Sequence, residues 1–586
     1  MTDSKTAFLL QCLVFCIPLN IYVIGDYMGS GIQWALFKYQ MTYLGESVIS
    51  FVNEVGYVHA GFLQGKSALA LIVWAVGALV LIACFIINLL ALGTRSPSYI
   101  QKTFLGVIFS GLLFLAADIL QYGPAFHSAA GYCIPIGIPL VFILGIWGYR
   151  NAGMPGIQSD APLPGDDDSV SDIRIPGISL HAVKKDLLVL VPVSVFVKII
   201  LFFVSLYAPY YVITGDIGTY YRHAQLFLEG YLPYIDTAVE YPPFFFIPVM
   251  IAVIPSIFLP GFSVYLLSYI SLMFCIDAVV LVLVYLIAFR LFGQEKAFLS
   301  GLLYATAVSA EFFVPLTYDV VASFFLMGAL FLFLNRKEIP AFVAATTGTL
   351  VKWFPVFSMP FFFIHAVKTG RDIRTSVKGI AIAALLFLAI TLPLLVINYR
   401  IFSVVYLYHL SREVQSHSLI YYVEILCQQV FPGITPSQYA FVLLAILEIV
   451  LLYWFWRFPS TKEITLVYFI FFSVFFFVLL NKIFSASYII WLTPFLALLL
   501  VHSIRQIILF YLLEIVVYVE TPLLYRIVYG SGQPYQVFEN SLPSFSFIFY
   551  TVKFVIYITV FIIILNDLKK AGSRAHHPGH SEQPSP

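Results

Sequence analysis

The chain has 586 residues, of which 61% are hydrophobic and 10% charged, against roughly 25% charged in a soluble domain. Its 31 Lys and Arg against 30 Asp and Glu leave a formal net charge of +1, which argues against a nucleic-acid partner. Long apolar runs recur from end to end without strand-like alternation, so the fold class reads as all-α, a polytopic transmembrane helical protein rather than a β-barrel.

The first apolar run, Ala7–Gly25, follows one lysine and has no clear small-residue cleavage site, so it reads as a span and not as a signal peptide. Further spans are expected at Ser67–Leu92, Thr103–Gln121 and Cys133–Gly148, with room for an amphipathic helix in the mixed segment from Asp26 to Lys66. The six cysteines, Cys12, Cys16, Cys84, Cys133, Cys275 and Cys427, sit mostly in apolar runs with no Cys-x-x-Cys spacing, and read as buried small hydrophobes. Residues 1–150 thus form a four-span module. Residues 151–183 follow as a cytoplasmic linker rich in Pro, Gly, Ser and Asp, whose run Asp166, Asp167 and Asp168 reads as solvated.

A second membrane module spans residues 184–570, ahead of a disordered tail at 571–586. Its first span is expected near Leu187–Tyr207 and its last at Tyr550–Leu565, for about 14 spans in the whole chain. Lys and Arg placement puts the linker and both ends of this module in the cytoplasm. The same count puts the loops after Tyr207, from Asn398 to Ser437 and at Asn481–Ser485 on the outer face. Two segments resist the count. Phe244–Ile257 reads as re-entrant, and Ala341–Val367, interrupted by Pro355 and Pro360, reads as two short helices.

Charged groups near or within a membrane are costly, so each is a candidate. Asp216, in "TGDIGTYY", reads either as a helix N-cap or as a general base toward a hydroxyl. Glu240 and Tyr241, stiffened by Pro242 and Pro243, sit at a membrane edge, as a pocket wall or as a plain turn. Asp319 starts an apolar run as an N-cap or a cavity group, and Lys352 has apolar residues on both sides beside a helix break. The loop "YLYHLSREVQSHS" carries His409, Arg412, Gln415 and His417; Arg412 suits a phosphate, and the histidines lack a recognised zinc spacing. Lys482 and Tyr488 follow at an outer turn, as phosphate ligand or as interfacial anchors. Acids in one outer loop and cations in two others suggest group transfer from a lipid-linked phosphate.

Five stretches carry a resemblance: "GDIGTYYRHAQLFLEGYLPYIDTAVEYPP", "YDVVASFFLMGALFLFLNRK", "LVKWFPVFSMPF", "YHLSREVQSHS" and "NKIFSASYIIWLTPF". In this order, within about Leu187–Lys570, they resemble the GT-C class of membrane glycosyltransferases, most of all the prokaryotic family 87 and mannosyltransferase-like group. The resemblance implies a GT-C-like fold in the plasma membrane. The donor would be a hexose such as mannose on a polyprenyl phosphate, the acceptor a glycan, lipid or protein at the outer face. It implies Asp216 as the catalytic base of an inverting transfer, Arg412 and Lys482 on the leaving phosphate, and Glu240 and Lys352 shaping the sugar pocket. No cofactor is called for, and a divalent metal is left open. One departure is "FSASY", Phe484 to Tyr488, where the pattern has Pro and Gln in place of Ala486 and Ser487, so one polar contact is expected to be missing. The competing reading is a flippase or transporter of lipid-linked sugars. The N-terminal module, through "GFLQGKSALALIVW" and "FHSAAGYCIPIGIP", resembles exosortase and archaeosortase proteins. Gln64 and Gly65 stand where their cysteine belongs and no arginine lies just before His127, so no catalysis is placed there.

Overall fold

The first apolar run does not stay helical. In the computed structural model of the chain, helix α1 (Ser4–Cys16) ends and strand β1 (Asn20–Ile24) follows. The structure describes residues 4–576 apart from 26–27, 44, 64, 95–96, 125, 129, 153–179, 206–209, 259–260, 416, 432, 434, 524–537, 540–541 and 544. Pro18 lies between α1 and β1. It has no N–H to donate and stops the helix, and the β-branched Ile21, Val23 and Ile24 favour extended backbone beyond it. The expected span over Ala7–Gly25 is therefore a 13-residue helix and a strand.

The chain forms two compact units, Met1–Lys185 and Asp186–Pro586. In the first, strands β2 (Gly29–Gln33), β3 (Phe37–Thr42) and β4 (Gly45–Ser50) continue from β1 as an antiparallel meander. Helix α2 (Phe51–His59) follows, capped by Ser50, whose Oγ accepts from the Asn53 N–H at 3.2 Å. So the segment from Asp26 to Lys66 holds a helix, and three strands besides. Then come α3 (Gly65–Thr94), α4 (Pro97–Tyr122), β5 (His127–Ser128), β6 (Gly131–Ile134) and α5 (Ile138–Ala152). The sheet is six-stranded in the order β4-β3-β2-β1-β6-β5, an addition to the helical frame that uniform hydropathy hides. Cys133–Gly148, expected as a span, divides between β6 and α5. Helices α3 and α4 have 30 and 26 residues, enough to cross; α1 and α5, at 13 and 15, reach only about 20 Å of the roughly 30 Å hydrocarbon layer. Residues 153–179 of the expected linker, with its acid run, lie outside the described residues.

The second unit is built on helices. They are α6 (Leu180–Ser205, which begins just before the unit), α7 (Tyr210–Leu228), α8 (Phe246–Phe258), α9 (Phe262–Phe292), α10 (Gln294–Ala305) and α11 (Val308–Phe313). The chain continues through α12 (Asp319–Leu334), α13 (Glu338–Val351), α14 (Ser358–Lys368), α15 (Ile373–Ile397), α16 (Tyr399–Phe402) and α17 (Val404–Ser411). It closes with α18 (Leu419–Val430), α19 (Ala440–Arg457), α20 (Glu463–Leu479), α21 (Ile489–Leu499), α22 (Ile504–Tyr518) and α23 (Phe545–His576). The last helix runs through residues 571–576, read above as tail; residues 524–537 and 577–586 lie outside the described residues.

Among the described residues six helical segments are long and apolar enough to cross a membrane: Gly65–Leu89, Ile100–Tyr122, Phe262–Phe292, Ile373–Ile397, Pro436–Arg457 and Phe545–Gly572. Shorter apolar helices pack among them, and the chain is a polytopic helical membrane protein. Helix α8, at 13 residues, spans about 20 Å and is too short to cross as one straight piece. The chain between Ala341 and Val367 breaks after Val351 into an extended Lys352, a 3₁₀ turn at Phe354–Phe357 and α14.

Ion pairs join the helices of this unit internally. Lys198 of α6, 1% exposed, pairs with Asp277 of α9 at 2.6 Å and Glu311 of α11 at 2.5 Å. Tyr304 donates to Asp277 Oδ1 at 2.6 Å. Glu514 of α22 accepts from the Ser309 and Ala310 N–H groups, at 3.0 and 3.1 Å, and from Thr493 Oγ1 at 2.8 Å. A buried charge without partners is strongly unfavourable, so these contacts fix how the helices meet.

In the first unit, Gly131 takes φ +115°, and a Cβ there would lie 1.8 Å from the Val23 carbonyl oxygen of the neighbouring strand. Gly131→Ala is expected to destabilise that unit by at least about 1–3 kcal/mol. A thermal melt of the detergent-solubilised protein that is unchanged by the substitution would contradict the β1–β6 pairing.

Candidate active site

Four segments far apart in sequence converge on a cavity of about 460 Å³ in the second unit: α7, the chain from α12 to the break after α13, and the stretches around 405–415 and 481–491. That volume is in the usual range for small-ligand sites, roughly 300–1,000 Å³. Of the residues singled out in the sequence, Asp216, Tyr241, Asp319, Lys352, His409, Arg412, Gln415 and Tyr488 line it. Glu240 and Lys482 do not.

Asp319 and Lys352 form the floor. Asp319 is the first residue of α12 and 1% exposed. Its Oδ1 accepts from the Lys352 ammonium and, at 3.0 Å, from the Trp491 indole N–H; its Oδ2 accepts from Ser487 Oγ at 3.0 Å. Lys352 reaches it because the helix stops at Val351 and residue 352 is extended, φ −156° and ψ 145°. The Lys352 ammonium also lies over three rings, Tyr318 at 4.7 Å, Trp491 at 5.1 Å and Tyr488 at 5.3 Å, where ring quadrupoles attract a cation. Tyr488 stacks on Trp491 at 3.9 Å. The departure at "FSASY" is thereby filled in part: Ser487, where the pattern has Gln, supplies a hydroxyl to Asp319.

Asp216 is placed differently. It sits within α7, not at its start, so it is no N-cap. Among the described residues its carboxylate has neither hydrogen bond nor ion pair, and it is exposed to the cavity. Water reaches it from that side while protein crowds it on the others, and the crowding governs its ionisation. Desolvation pushes its pKa above the ordinary aspartate value; Lys352 opposes this, Asp319 and Glu240 add to it, and Arg412 opposes it more weakly. Tyr220, Tyr241 and Tyr318 form an aromatic wall beside it, with ring centroids 5.1–6.0 Å apart.

Arg412 ends α17 and points into the cavity with its guanidinium 5.3 Å from the Tyr408 ring; among the described residues it has no acidic partner. Its loop is tied to the 481–484 turn by Gln415, whose N–H donates to the Lys482 carbonyl at 2.9 Å and whose Oε1 accepts from the Phe484 N–H at 3.0 Å. Gln415 thus positions the cation. His409 Nε2 lies 2.9 Å from the Glu240 carbonyl oxygen. A carbonyl only accepts, so this nitrogen carries the proton. Burial lowers the His409 pKa, which keeps the ring neutral.

Two expectations are corrected. Glu240 holds the site through its backbone, while its carboxylate lies 4.0 Å from His223 Nε2, away from the cavity wall. Burial lowers the His223 pKa, so at neutral pH this is not an ion pair. Pro242 and Pro243 set the backbone so that Tyr241 and Pro242 face the cavity instead. Lys482 likewise contributes its carbonyl; its ammonium lies over Phe441 at 5.9 Å, and Asn481 and Ile483 line the cavity on either side of it. Of the other acids near Asp216, Asp236 closes a turn by accepting from the Leu232 N–H at 2.8 Å, and Glu229 is exposed. Among the described residues, no group of three His, Cys, Asp or Glu side chains is placed to hold a metal ion.

The sequence reading gave Trp491 only an interfacial anchor's place and Ser487 only that of a lost contact. Both sit in or beside an apolar run, and the partner that gives them a role, Asp319, is 168–172 residues away.

The chain matches no protein-family model and no curated protein. Two solved structures are similar to part of it. One is ArnT from Cupriavidus metallidurans bound to undecaprenyl phosphate, at 16% identity and a TM-score of 0.37, covering 66% of this chain and 72% of that one. The other is the Archaeoglobus fulgidus oligosaccharyltransferase in its apo form, at 14% identity and a TM-score of 0.33, covering 66% of this chain and 56% of that one.

The Lys352–Asp319 pair generates a stability prediction. Lys352→Met alone leaves a buried carboxylate without its cation and should cost about 3 kcal/mol, whereas Lys352→Met with Asp319→Asn should recover more than half of that. Additive losses in chemical denaturation would mean the two side chains are not coupled.

Proposed function

We propose that the second unit is a GT-C-like membrane glycosyltransferase. It moves a hexose such as mannose from a polyprenyl-phosphate donor to an acceptor hydroxyl at the outer face of the plasma membrane. One observation carries the reading: an uncommitted carboxylate, Asp216, and an uncommitted guanidinium, Arg412, line the same cavity, while the other acid, Asp319, is fully engaged. The five stretches that resemble the GT-C class supply most of the cavity's polar wall, which supports the same reading.

The chemistry follows from those two charges. Asp216 takes the proton of the acceptor hydroxyl as its oxygen attacks the anomeric carbon. The bond from that carbon to the phosphate oxygen breaks, and the lipid phosphate leaves with the electron pair. Arg412 offers planar, charge-assisted donors to that phosphate. Displacement from the opposite face inverts the anomeric centre. The raised pKa makes Asp216 a stronger base than an ordinary aspartate while still ionised above that pKa. The tyrosine wall provides flat apolar faces for the sugar ring. Lys352, bound to Asp319, acts on Asp216 through its field and not as a ligand of the phosphate.

Asp216→Asn is expected to lower sugar transfer from a polyprenyl-phosphate hexose in proteoliposomes by about 10²–10⁴-fold with expression unchanged. Transfer at the parent rate would remove Asp216 as base, and lipid-linked sugar that changes leaflets without reaching an acceptor would establish a flippase instead. The pH profile gives an independent check. Activity should rise with pH through an acid limb whose midpoint lies above about 3.9, the ordinary aspartate value. Arg412→Gln removes a charge that favours the ionised form, so it should move that midpoint upward as well as raise the donor KM; a downward move would contradict the placement.

A further inference from the structure

The first unit holds a cavity of its own, about 500 Å³, between the sheet and helices α3 and α4, with polar groups set in a mainly apolar wall. Strand register places Asn20, Tyr22, Gln33, Lys38 and Gln40 on one face of the sheet: Asn20 pairs with Gln33 and Gln33 with Lys38, while Tyr22 pairs with Gly31 and Gly31 with Gln40. A sheet face turned to helices is ordinarily apolar, because it must bury itself against them. This one carries amides, a phenol and a lysine among Ile24 and Ile49, and it borders the cavity.

Across the cavity stands Asp118 of α4, 4% exposed. Its Oδ1 accepts from Asn20 Nδ2 at 2.7 Å, and its Oδ2 has no hydrogen-bond partner. The second buried acid, Glu54 of α2, is matched by Lys38 at 2.5 Å. Charge in the cavity is therefore balanced except at Asp118, where one oxygen awaits a donor. A buried polar atom left unsatisfied is costly, and a ligand hydroxyl supplies what it lacks. Gln40 accepts from the Tyr22 hydroxyl at 3.5 Å, and its amide NH₂ makes no hydrogen bond among the described residues. Trp74 closes the back of the same space, 1% exposed and with its indole N–H taken by the Trp34 carbonyl at 3.2 Å, while Tyr57 and Phe62 line the cavity with exposed rings.

We propose that this cavity binds a hexopyranose ring, its hydroxyls held by Asp118 and Gln40 and its C–H face laid against the exposed rings of Tyr57 and Phe62. The unmatched carboxylate oxygen excludes a phosphate or carboxylate ligand at that position. The site is independent of the reading of the second unit. The ring has two sources with the same chemistry, a free glycan or the headgroup of a glycolipid.

The test uses the full chain in phosphatidylcholine nanodiscs. Saturation-transfer NMR follows methyl hexopyranosides, and a second set of discs contains a dihexosyl diacylglycerol. Asp118→Asn is expected to weaken binding at least about tenfold and Gln40→Ala about threefold or more, with melting unchanged, while Asp216→Asn leaves this binding intact. Binding of the free glycosides assigns a soluble ligand, and binding only in glycolipid discs assigns a headgroup; both support the site. Should Asp118→Asn fail to fold, Gln40→Ala decides. The proposal is overturned by absence of binding in both formats, by binding that neither variant weakens, or by a simple alkylammonium occupying the site while sugars do not.

Discussion

The second unit's cavity depends on one ion pair, Lys352 with Asp319. A carboxylate 1% exposed inside a membrane protein is tenable only if its lone pairs are matched, and here an ammonium, an indole N–H and a hydroxyl match them. Those donors come from the break after α13 and from the stretch leading into α21, so satisfying one acid holds three segments of chain together. The same contacts orient the Trp491 ring, which stacks on Tyr488 on one side and on Phe354 at 4.5 Å. Without the helix break at Lys352 the ammonium would lie on a continuing helix, and the floor of the cavity would not form.

Committing Asp319 leaves Asp216 as the acid available to a substrate. The division of labour resembles that of paired carboxylates in many active sites, where environment rather than residue type sets the role. Asp319 is saturated with donors and fixes structure, while Asp216 has open space in front and protein behind, which raises its basicity. Arg412 is the complementary case, a cation held in place by the backbone and side-chain hydrogen bonds of Gln415 to the 481–484 turn rather than by an acid. The proposed transfer from a phosphate leaving group uses both, Asp216 as base and Arg412 on the phosphate. Other buried charges of the unit pair with one another, as Lys198 does with Asp277 and Glu311, or are met by backbone and hydroxyl donors, as Glu514 is, and read as architecture.

Much of this was legible in the sequence, for physical reasons that also show where legibility ends. The long helices α3, α4, α9, α15 and α23 follow from uninterrupted apolar runs, and the break at Lys352 from Pro355. Eight of the ten singled-out site residues line the cavity because a charge or aromatic beside an apolar run is itself uncommon. The sheet was not legible. "NIYVI" lies inside a run of uniform hydropathy, where strand and helix cannot be told apart by periodicity, and only Pro18 marks the change. Side-chain direction was not legible either. Glu240 and Lys482 were placed near the site, as their carbonyls are, but nothing local in the sequence says which way a side chain leaves a turn. Trp491 and Ser487 take their roles from an acid that only the fold brings to them.

The central claim, that this cavity receives a lipid-linked phosphate between Asp216 and Arg412, is tested most directly by a structure of the full chain with a polyprenyl phosphate bound. The account predicts phosphate oxygens at about 2.7–2.9 Å from the Arg412 guanidinium, with the Asp216 carboxylate free and facing the space where the anomeric carbon would lie. A phosphate bound away from this cavity, or held by Lys352 with the Asp319 pair broken, would contradict it.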